Sequence, residues 1–207
     1  MNIRSMVLGP VETNVYFLIN EETNETVVFD PAYAPETINS FAEKNGLRIT
    51  AIFLTHGHFD HITGVDGVKK ATGAQIYASK REERLLSDGE LNESLQSYGR
   101  SITVKADHLL KDGDIVDAAG LKIKMMDTPG HTEGSCCYYL EDRKVLISGD
   151  TLFAGSVGRT DLPTGSMSAL LESVKEKLLT LPDDVRVFPG HGEETSIGYE
   201  RRWNPFF

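Results

Sequence analysis

Short apolar runs separated by glycine, proline, asparagine and aspartate recur along the chain, the pattern of strands joined by turns. Residues 3–8 and 14–19 read as two strands around a turn at Gly9 and Pro10. After a polar loop, 26–29 form a third strand that stops at Asp30 and Pro31. Pro35 opens a helix with Ile38, Phe41 and Ala42 at helical spacing, and Gly46 closes it. The run 49–54 is a buried strand, 65–71 a short helix and 75–78 a short strand. Residues 79–100 are charged and weakly periodic, expected as helix and surface loop. In the second half, 108–110 reads as a strand running into a turn over 111–114, and 121–125 alternates cleanly as another strand. A hairpin follows, 135–140 with 144–147 around Glu141 and Asp142. A glycine-rich loop over 154–165 precedes a helix over 167–179 that Ser166 is placed to cap, and 185–188 is a last strand.

Strands in the first half, then more strands and a helix, predict an α+β architecture with sheet packed on sheet and helices outside. No linker, low-complexity tract or clean repeat interrupts the chain, so residues 1–207 are expected to form a single domain.

Composition narrows the function classes. The chain is 40% hydrophobic and 25% charged with a formal net charge of −10, an ordinary globular composition ill suited to a phosphate-rich partner. It has no basic run for nucleic acid, no basic amphipathic helix for a membrane surface and no apolar window of transmembrane length. The N-terminal residues alternate like a strand and lack the apolar core of a signal peptide. The only cysteines, Cys136 and Cys137, are neighbours that cannot form an ordinary bridge with each other, which suits a reducing compartment. The expectation is a cytoplasmic protein whose partner is a small molecule, with no nucleic acid and no membrane; the oligomeric state is left open.

The candidate chemistry is concentrated after the strand 49–54, where His56, His58, Asp60 and His61 fall within six positions. Packing does not require that density of metal-binding side chains. His56 and His58, two apart, can lean the same way onto one ion, while Asp60 and His61 are carried round towards a second. His131, Asp150 and His191 follow other apolar runs in similar glycine-containing turns. A single turn histidine is most simply a hydrogen-bonded one, but five of the six histidines share this setting. Histidine with carboxylate suits zinc, iron or manganese, and the absence of thiolates argues against a closed structural zinc. Seven ligands exceed one tetrahedral ion, so two divalent ions sharing a carboxylate are expected, zinc first, with iron or manganese as alternatives. Such a pair can acidify a water between them and polarise a carbonyl or phosphoryl oxygen, the chemistry of a hydrolase.

The motif H-x-H-x-D-H at His56 to His61 continues as Thr128-Pro-Gly-His131-Thr-x-Gly-Ser, Ser148-Gly-Asp150-Thr and Pro189-Gly-His191-Gly. In this the chain resembles the metallo-β-lactamase-fold hydrolases over its whole length. The resemblance implies the four-layer αββα sandwich, with His56, His58 and His131 on one metal, Asp60, His61 and His191 on the other, and Asp150 between them. Asp60 and Asp150 would be the catalytic carboxylates. Leu152-Phe153 followed by Gly158-Arg159-Thr160-Asp161-Leu162-Pro163, together with Thr13-Asn14-x-Tyr16 and the tail at 199–205, resembles the glyoxalase II and persulfide dioxygenase branch. The likeness is strongest to the short single-domain bacterial glyoxalase II-like group, which lacks the C-terminal helical substrate domain of the longer enzymes. It implies hydrolysis of a 2-hydroxyacyl thioester such as S-D-lactoylglutathione, with Arg159 as a cationic substrate contact. The family's common Asp-Pro-Gly is here Asp30-Pro31-Ala32-Tyr33, so Tyr33 is expected to narrow one wall of the site.

Two other activities fit the same ligands: a persulfide dioxygenase using one iron, and a lactonase. Asp30 is read as a strand-ending cap in preference to a partner of a ligand imidazole. His108 lies outside every strand-end motif, and Arg201 and Arg202 are expected to lock the tail onto the body.

Overall fold

The computed structural model describes residues 1–207. A mixed six-stranded sheet holds, in spatial as in chain order, β1 (Asn2–Leu8), β2 (Thr13–Ile19), β3 (Glu25–Phe29), β4 (Arg48–Phe53), β5 (Gln75–Ser79) and β6 (His108–Leu110). Between these strands lie α1 (Pro35–Lys44), α2 (Phe59–Ile62), α3 (Val65–Thr72), α4 (Glu83–Leu86) and α5 (Ser94–Tyr98). The next strands are β7 (Ile115–Ala118), β8 (Leu121–Asp127), β9 (Cys136–Leu140), β10 (Val145–Gly149), a two-stranded ribbon of β11 (Leu152–Phe153) and β12 (Ser156–Val157), β13 (Arg186–Pro189) and β14 (Thr195–Ser196). The second sheet has the order β14-β13-β10-β9-β8-β7, with α6 (Met167–Ser173) and α7 (Ile197–Trp203) following the ribbon and β14.

Side-chain alternation explains the layering. On β2, Tyr16 and Leu18 face the second sheet, where they pack with Phe29, Phe53, Met125, Tyr138 and Ile147. Val15, Phe17 and Ile19 face the other way, against Ile38 of α1 and Val65 and Val68 of α3. The second sheet repeats the arrangement, its outer residues Cys137, Leu146 and Val187 packing on Leu170 of α6. β2 and β9 are buried on both faces, which is why they carry no polar alternation, whereas β8 alternates buried and exposed positions. The result is the αββα sandwich.

Strand direction places the site. β8 is antiparallel to β9, β9 to β10, and β10 is parallel to β13, so β8, β10 and β13 end at the same edge of their sheet. The Cys136 amide donates to the Thr55 carbonyl at 2.9 Å and ties that edge to the end of β4.

Several elements differ from the sequence reading. The histidine loop contains a short helix, α2, and the glycine-rich loop folds back on itself as β11 and β12. Both are shorter than any periodic pattern can register. The helix expected over 167–179 is α-helical to Ser173 and continues as a π-helical turn over Val174–Leu178. β7, β14 and α7 were not anticipated; β7 pairs with β8 in a hairpin whose turn holds Ala119 and Gly120. No helix is long and apolar enough to cross a membrane. Arg201 does lock the tail, donating to the carbonyls of Leu179 and Leu181.

Candidate metal centre

The end of β4 is fixed before its histidines begin. Thr55 donates its amide and hydroxyl to the Asp30 carboxylate, at 2.8 and 2.7 Å. His56 and His58 then turn into the space between the sheets, and α2 carries Asp60 and His61 back over them. His131, after β8, places Nε2 at 2.9 Å from Nδ1 of His58 and 3.2 Å from Nε2 of His56. His191, after β13, has Nε2 at 3.4 Å from Nε2 of His61 and 3.2 Å from Asp60 Oδ2. Asp150, after β10, lies between the two groups. Its Oδ1 is 3.4 Å from His61 Nε2, and its Oδ2 is 3.6 Å from His131 Nε2 and 3.5 Å from His191 Nε2.

All seven residues singled out in the sequence thus meet in one place. Ligand atoms of His56, His58 and His131 lie within 4.8 Å of one another, as do those of Asp60, His61 and His191, and those of His56, His61 and Asp150.

Hydrogen bonding shows which ring nitrogens face inward. His61 donates Nδ1–H to Asp30 Oδ2 at 2.9 Å, and His131 donates Nδ1–H to the Arg159 carbonyl at 2.7 Å. Since the Thr55 hydroxyl donates to Asp30, it accepts from His56 Nδ1, 3.1 Å away. In the neutral form that binds a metal, each of these rings therefore turns its other nitrogen, with a free lone pair, into the cluster. Burial and the neighbouring imidazoles hold His56 well below the ordinary histidine range, and burial with His131 pushes His58 down to about 3. At His61 burial also opposes charge, but Asp60, Asp150 and Asp30 outweigh it and raise the pKa well above the ordinary value. Asp150 Oδ1 is buried without a hydrogen-bond partner. Converging lone pairs around two carboxylates repel one another unless cations lie among them, so the donor set fits two metal ions.

Asp30 is a correction. The strand-end cap expected from sequence is instead a buried carboxylate that orients His61 and, through Thr55, His56. Its signal was its position at the end of the strand beside β4, which adjacency of β3 and β4 makes meaningful only in three dimensions.

The loop bearing His191 is clamped from β2. Asn14 donates Nδ2–H to the carbonyls of Pro189 and Gly192 at 3.0 and 2.9 Å, and the Tyr16 hydroxyl donates to Pro189 at 2.7 Å. Thr13 donates to Asp60 Oδ2 at 3.0 Å. These contacts give a physical role to the Thr13-Asn14-x-Tyr16 segment.

A cleft of about 570 Å³ opens over the cluster, with Val11, Phe59, Phe153 and Leu162 among its walls. Arg159 lines it, and its exposed guanidinium makes a two-point pair with Asp161 at 2.7 and 2.6 Å. Tyr33 does not line the cleft. It stacks on Tyr98, which in turn packs edge-on against Phe59. His108 stacks on Tyr77 at the far edge of the first sheet, outside the cluster. A buried carboxylate missed by sequence reading, Glu82, lies behind the histidine loops.

A fold of two sheets with a histidine and aspartate cluster at their shared edge defines a metallohydrolase class, and comparison with known proteins agrees. The Metallo-beta-lactamase superfamily profile matches residues 8–191, and the chain belongs to that family. A Bacillus subtilis relative, "Probable metallo-hydrolase YqgX", is 41% identical over 100% of this chain and 97% of its own length. The "Hydroxyacylglutathione hydrolase GloC" of Haemophilus influenzae is 33% identical over 100% and 98%. Among solved structures, the BLEG-1 B3 metallo-beta-lactamase superposes with a TM-score of 0.94 at 40% identity, covering 99% of both chains. TTHA1623 in a di-iron-bound form gives 0.87 at 34% identity over 99% and 100%. ETHE1 from Myxococcus xanthus gives 0.78 at 30% over 99% and 84%.

Proposed function

We propose that this chain is a two-metal hydrolase of a small 2-hydroxyacyl thioester, S-D-lactoylglutathione or the ester of a related thiol. The observation that carries the two-metal reading is the place of Asp150 between the groups, with Oδ2 3.6 Å from His131 of one and 3.5 Å from His191 of the other, and Oδ1 3.4 Å from His61. His56, His58 and His131 would hold one ion, Asp60, His61 and His191 the other, with Asp150 shared. Zinc is the first expectation; the di-iron form of TTHA1623 keeps iron beside it. Bound there, the ions supply an acidified water and Lewis-acid polarisation of the acyl oxygen.

The chain's own groups supply position. Val11, Phe59, Phe153 and Leu162 give the acyl and thiol portions an apolar wall. Asp60, held by Thr13, presents a carboxylate at the floor of the cleft. Apart from the seven candidate ligands, the ionisable residues lining the cleft are Glu93 and Arg159. A thioester suits such a site, because a thiolate leaves without a strong general acid. The Haemophilus relative's name supports the thioester, and Arg159 would meet a carboxylate of the thiol portion.

The test is an anaerobic assay of zinc-loaded protein on lactoylglutathione and other lactoyl thioesters. Parallel arms measure, in air, oxygen uptake with glutathione persulfide by iron-loaded protein and, with the zinc form, ring opening of a β-lactam and hydrolysis of a lactone. Thioester cleavage above a metal-free control without oxygen consumption is the expected result. Oxygen uptake with no thioester cleavage sinks the reading and makes the chain a dioxygenase, the alternative that the same ligands fit.

A further inference from the structure

The side chain of Glu82 is fully buried and carries no cation against it. It sits at the end of a short 3-10 turn, Lys80–Glu82, between β5 and α4, on neither of the loops that hold the candidate ligands. Its Oε1 accepts the Gly57 amide at 2.8 Å, and its two oxygens accept the Thr132 hydroxyl at 2.9 and 3.0 Å. Thr132 is held in turn by Ser135, its amide at 3.0 Å and its hydroxyl at 2.7 Å from the Ser135 Oγ.

The glycines on either side sit close against this segment. A Cβ on Gly57 would meet Leu85 Cδ2 at 2.8 Å, and one on Gly134 would meet the Glu82 amide nitrogen and Oε2, each at 2.4 Å. Both loops are therefore pressed onto the Glu82 segment, and the carboxylate is the group that joins them. Gly57 separates His56 from His58, and Thr132 follows His131. The contacts of Glu82 thus fall beside His56, His58 and His131, and none falls beside Asp60, His61 or His191.

We infer that Glu82 is a positioning residue for one half of the centre: it fixes the His56/His58 loop against the His131 turn, and so sets affinity for the metal ion held by those three histidines alone. The inference rests on the two-metal reading. The other half has its own support in Asp30 on His61 and in the β2 clamp on the His191 loop. A carboxylate bonded to the backbone and hydroxyl of ligand loops acts as outer partners of a metal site do, by holding the imidazoles at the angle the ion requires. Glutamine at this place keeps the shape but presents N–H groups to donors, so the two loops lose part of their common anchor.

The experiment is stepwise zinc titration of metal-free full-length protein against a chromophoric chelator. The step abolished in His131→Ala defines the first site and that abolished in His191→Ala the second. Glu82→Gln should weaken the first step about tenfold or more and leave the second within about twofold. Thr132→Val, which removes one bond with little change of volume, should give the same selectivity more weakly, and Thr132→Ser should restore the wild-type value. Glu133→Gln, which loses an exposed pair with Arg84 and leaves the hydrogen bonds of Glu82 in place, should change neither step. Equal weakening of both steps, or no change in Glu82→Gln, overturns the inference while the two-metal reading stands. Wild-type protein taking one ion overturns that reading instead; the inference survives only if that ion is lost in His131→Ala and weakened in Glu82→Gln. Wild-type protein taking up no zinc overturns both.

Discussion

Asp30 accepts a hydrogen bond from Nδ1 of His61 at 2.9 Å, with both side chains sealed from solvent. The same carboxylate accepts two bonds from Thr55, which lies next to His56. One buried anion therefore sets the tautomer of His61 directly and the orientation of His56 through one hydroxyl. Removing its charge loosens a ring in each of the two proposed metal sites. Asp30→Asn is expected to lower zinc affinity about 10–100-fold, with a matching fall in turnover at limiting zinc. Zinc titration beside a rate measurement checks this; unchanged affinity with lost activity would show that Asp30 acts on the reaction and not on the ligands.

Asp150 provides the sharpest contrast with a histidine outside the cluster. Its oxygens lie 3.4–3.6 Å from His61, His131 and His191, whereas His108 stacks on Tyr77. Asp150→Asn is expected to lower metal retention and turnover by more than about tenfold, and His108→Ala to leave both unchanged. Elemental analysis after gel filtration, paired with activity, decides it. Equal losses in the two variants mean the site is drawn wrongly.

The clamp on the His191 loop separates stability from chemistry. Tyr16→Phe removes the hydroxyl that serves the Pro189 carbonyl, in a ring that otherwise packs edge-on against Phe188. The buried carbonyl keeps the Asn14 amide as its other partner, so the expected cost is about 1 kcal/mol of stability, seen by urea denaturation. Asn14→Ala removes one bond from each of the Pro189 and Gly192 carbonyls and should in addition weaken the metal site that includes His191. If the two variants are alike in stability and metal affinity, the clamp is not what holds the loop.

The candidate ligands were legible because each follows an apolar run and carries a side chain with little other use in a turn. The sandwich was legible because strand lengths and apolar faces repeat. What supports the ligands was not. Asp30 and Glu82 are single carboxylates whose partners lie 25–50 residues away in sequence, so no local spacing marks them. Tyr33 failed for the opposite reason. A sequence departure beside the site suggested a wall residue, but Tyr98 stands between it and Phe59. α2, β11 and β12 are too short to impose a period, and tertiary pairing alone creates them.

Glu82 also gives a pH dependence with a definite sign. Burial is the dominant cause that pushes its pKa up from 4.5 to about 7, with Glu133 adding to it and the bonds from Gly57 and Thr132 opposing it. A carboxylic acid whose folded pKa is raised binds its proton more tightly when folded. Its contribution is therefore full below about pH 4.5 and is lost as the pH rises to about 7, a change of about 3 kcal/mol. For metal-free protein, the stability gap between wild type and Glu82→Gln should shift by that amount in favour of the variant between pH 4.5 and pH 8. A gap that stays flat across the range shows that the native carboxylate titrates as it does in the unfolded chain.

Arg159 tests which part of the substrate the cleft reads. Its backbone carbonyl accepts the Nδ1 proton of His131, while its side chain lies at the cleft paired with Asp161. Alanine keeps the carbonyl and removes only the guanidinium, so the ligand imidazole is undisturbed. Contact with a carboxylate on the thiol portion is far from the acyl carbon and contributes alike to ground and transition states. Its loss then raises KM and leaves kcat within about twofold. The Asp161 pair already neutralises part of the charge, and both residues are exposed, so the rise in KM should be modest, about three- to tenfold. Asp161→Asn frees the guanidinium and should move KM the other way for an anionic thiol. Steady-state kinetics on lactoyl esters of an anionic and a neutral thiol separate the cases. A fall in kcat with unchanged KM, or identical effects on both esters, would remove Arg159 from substrate recognition and leave it as a surface pair.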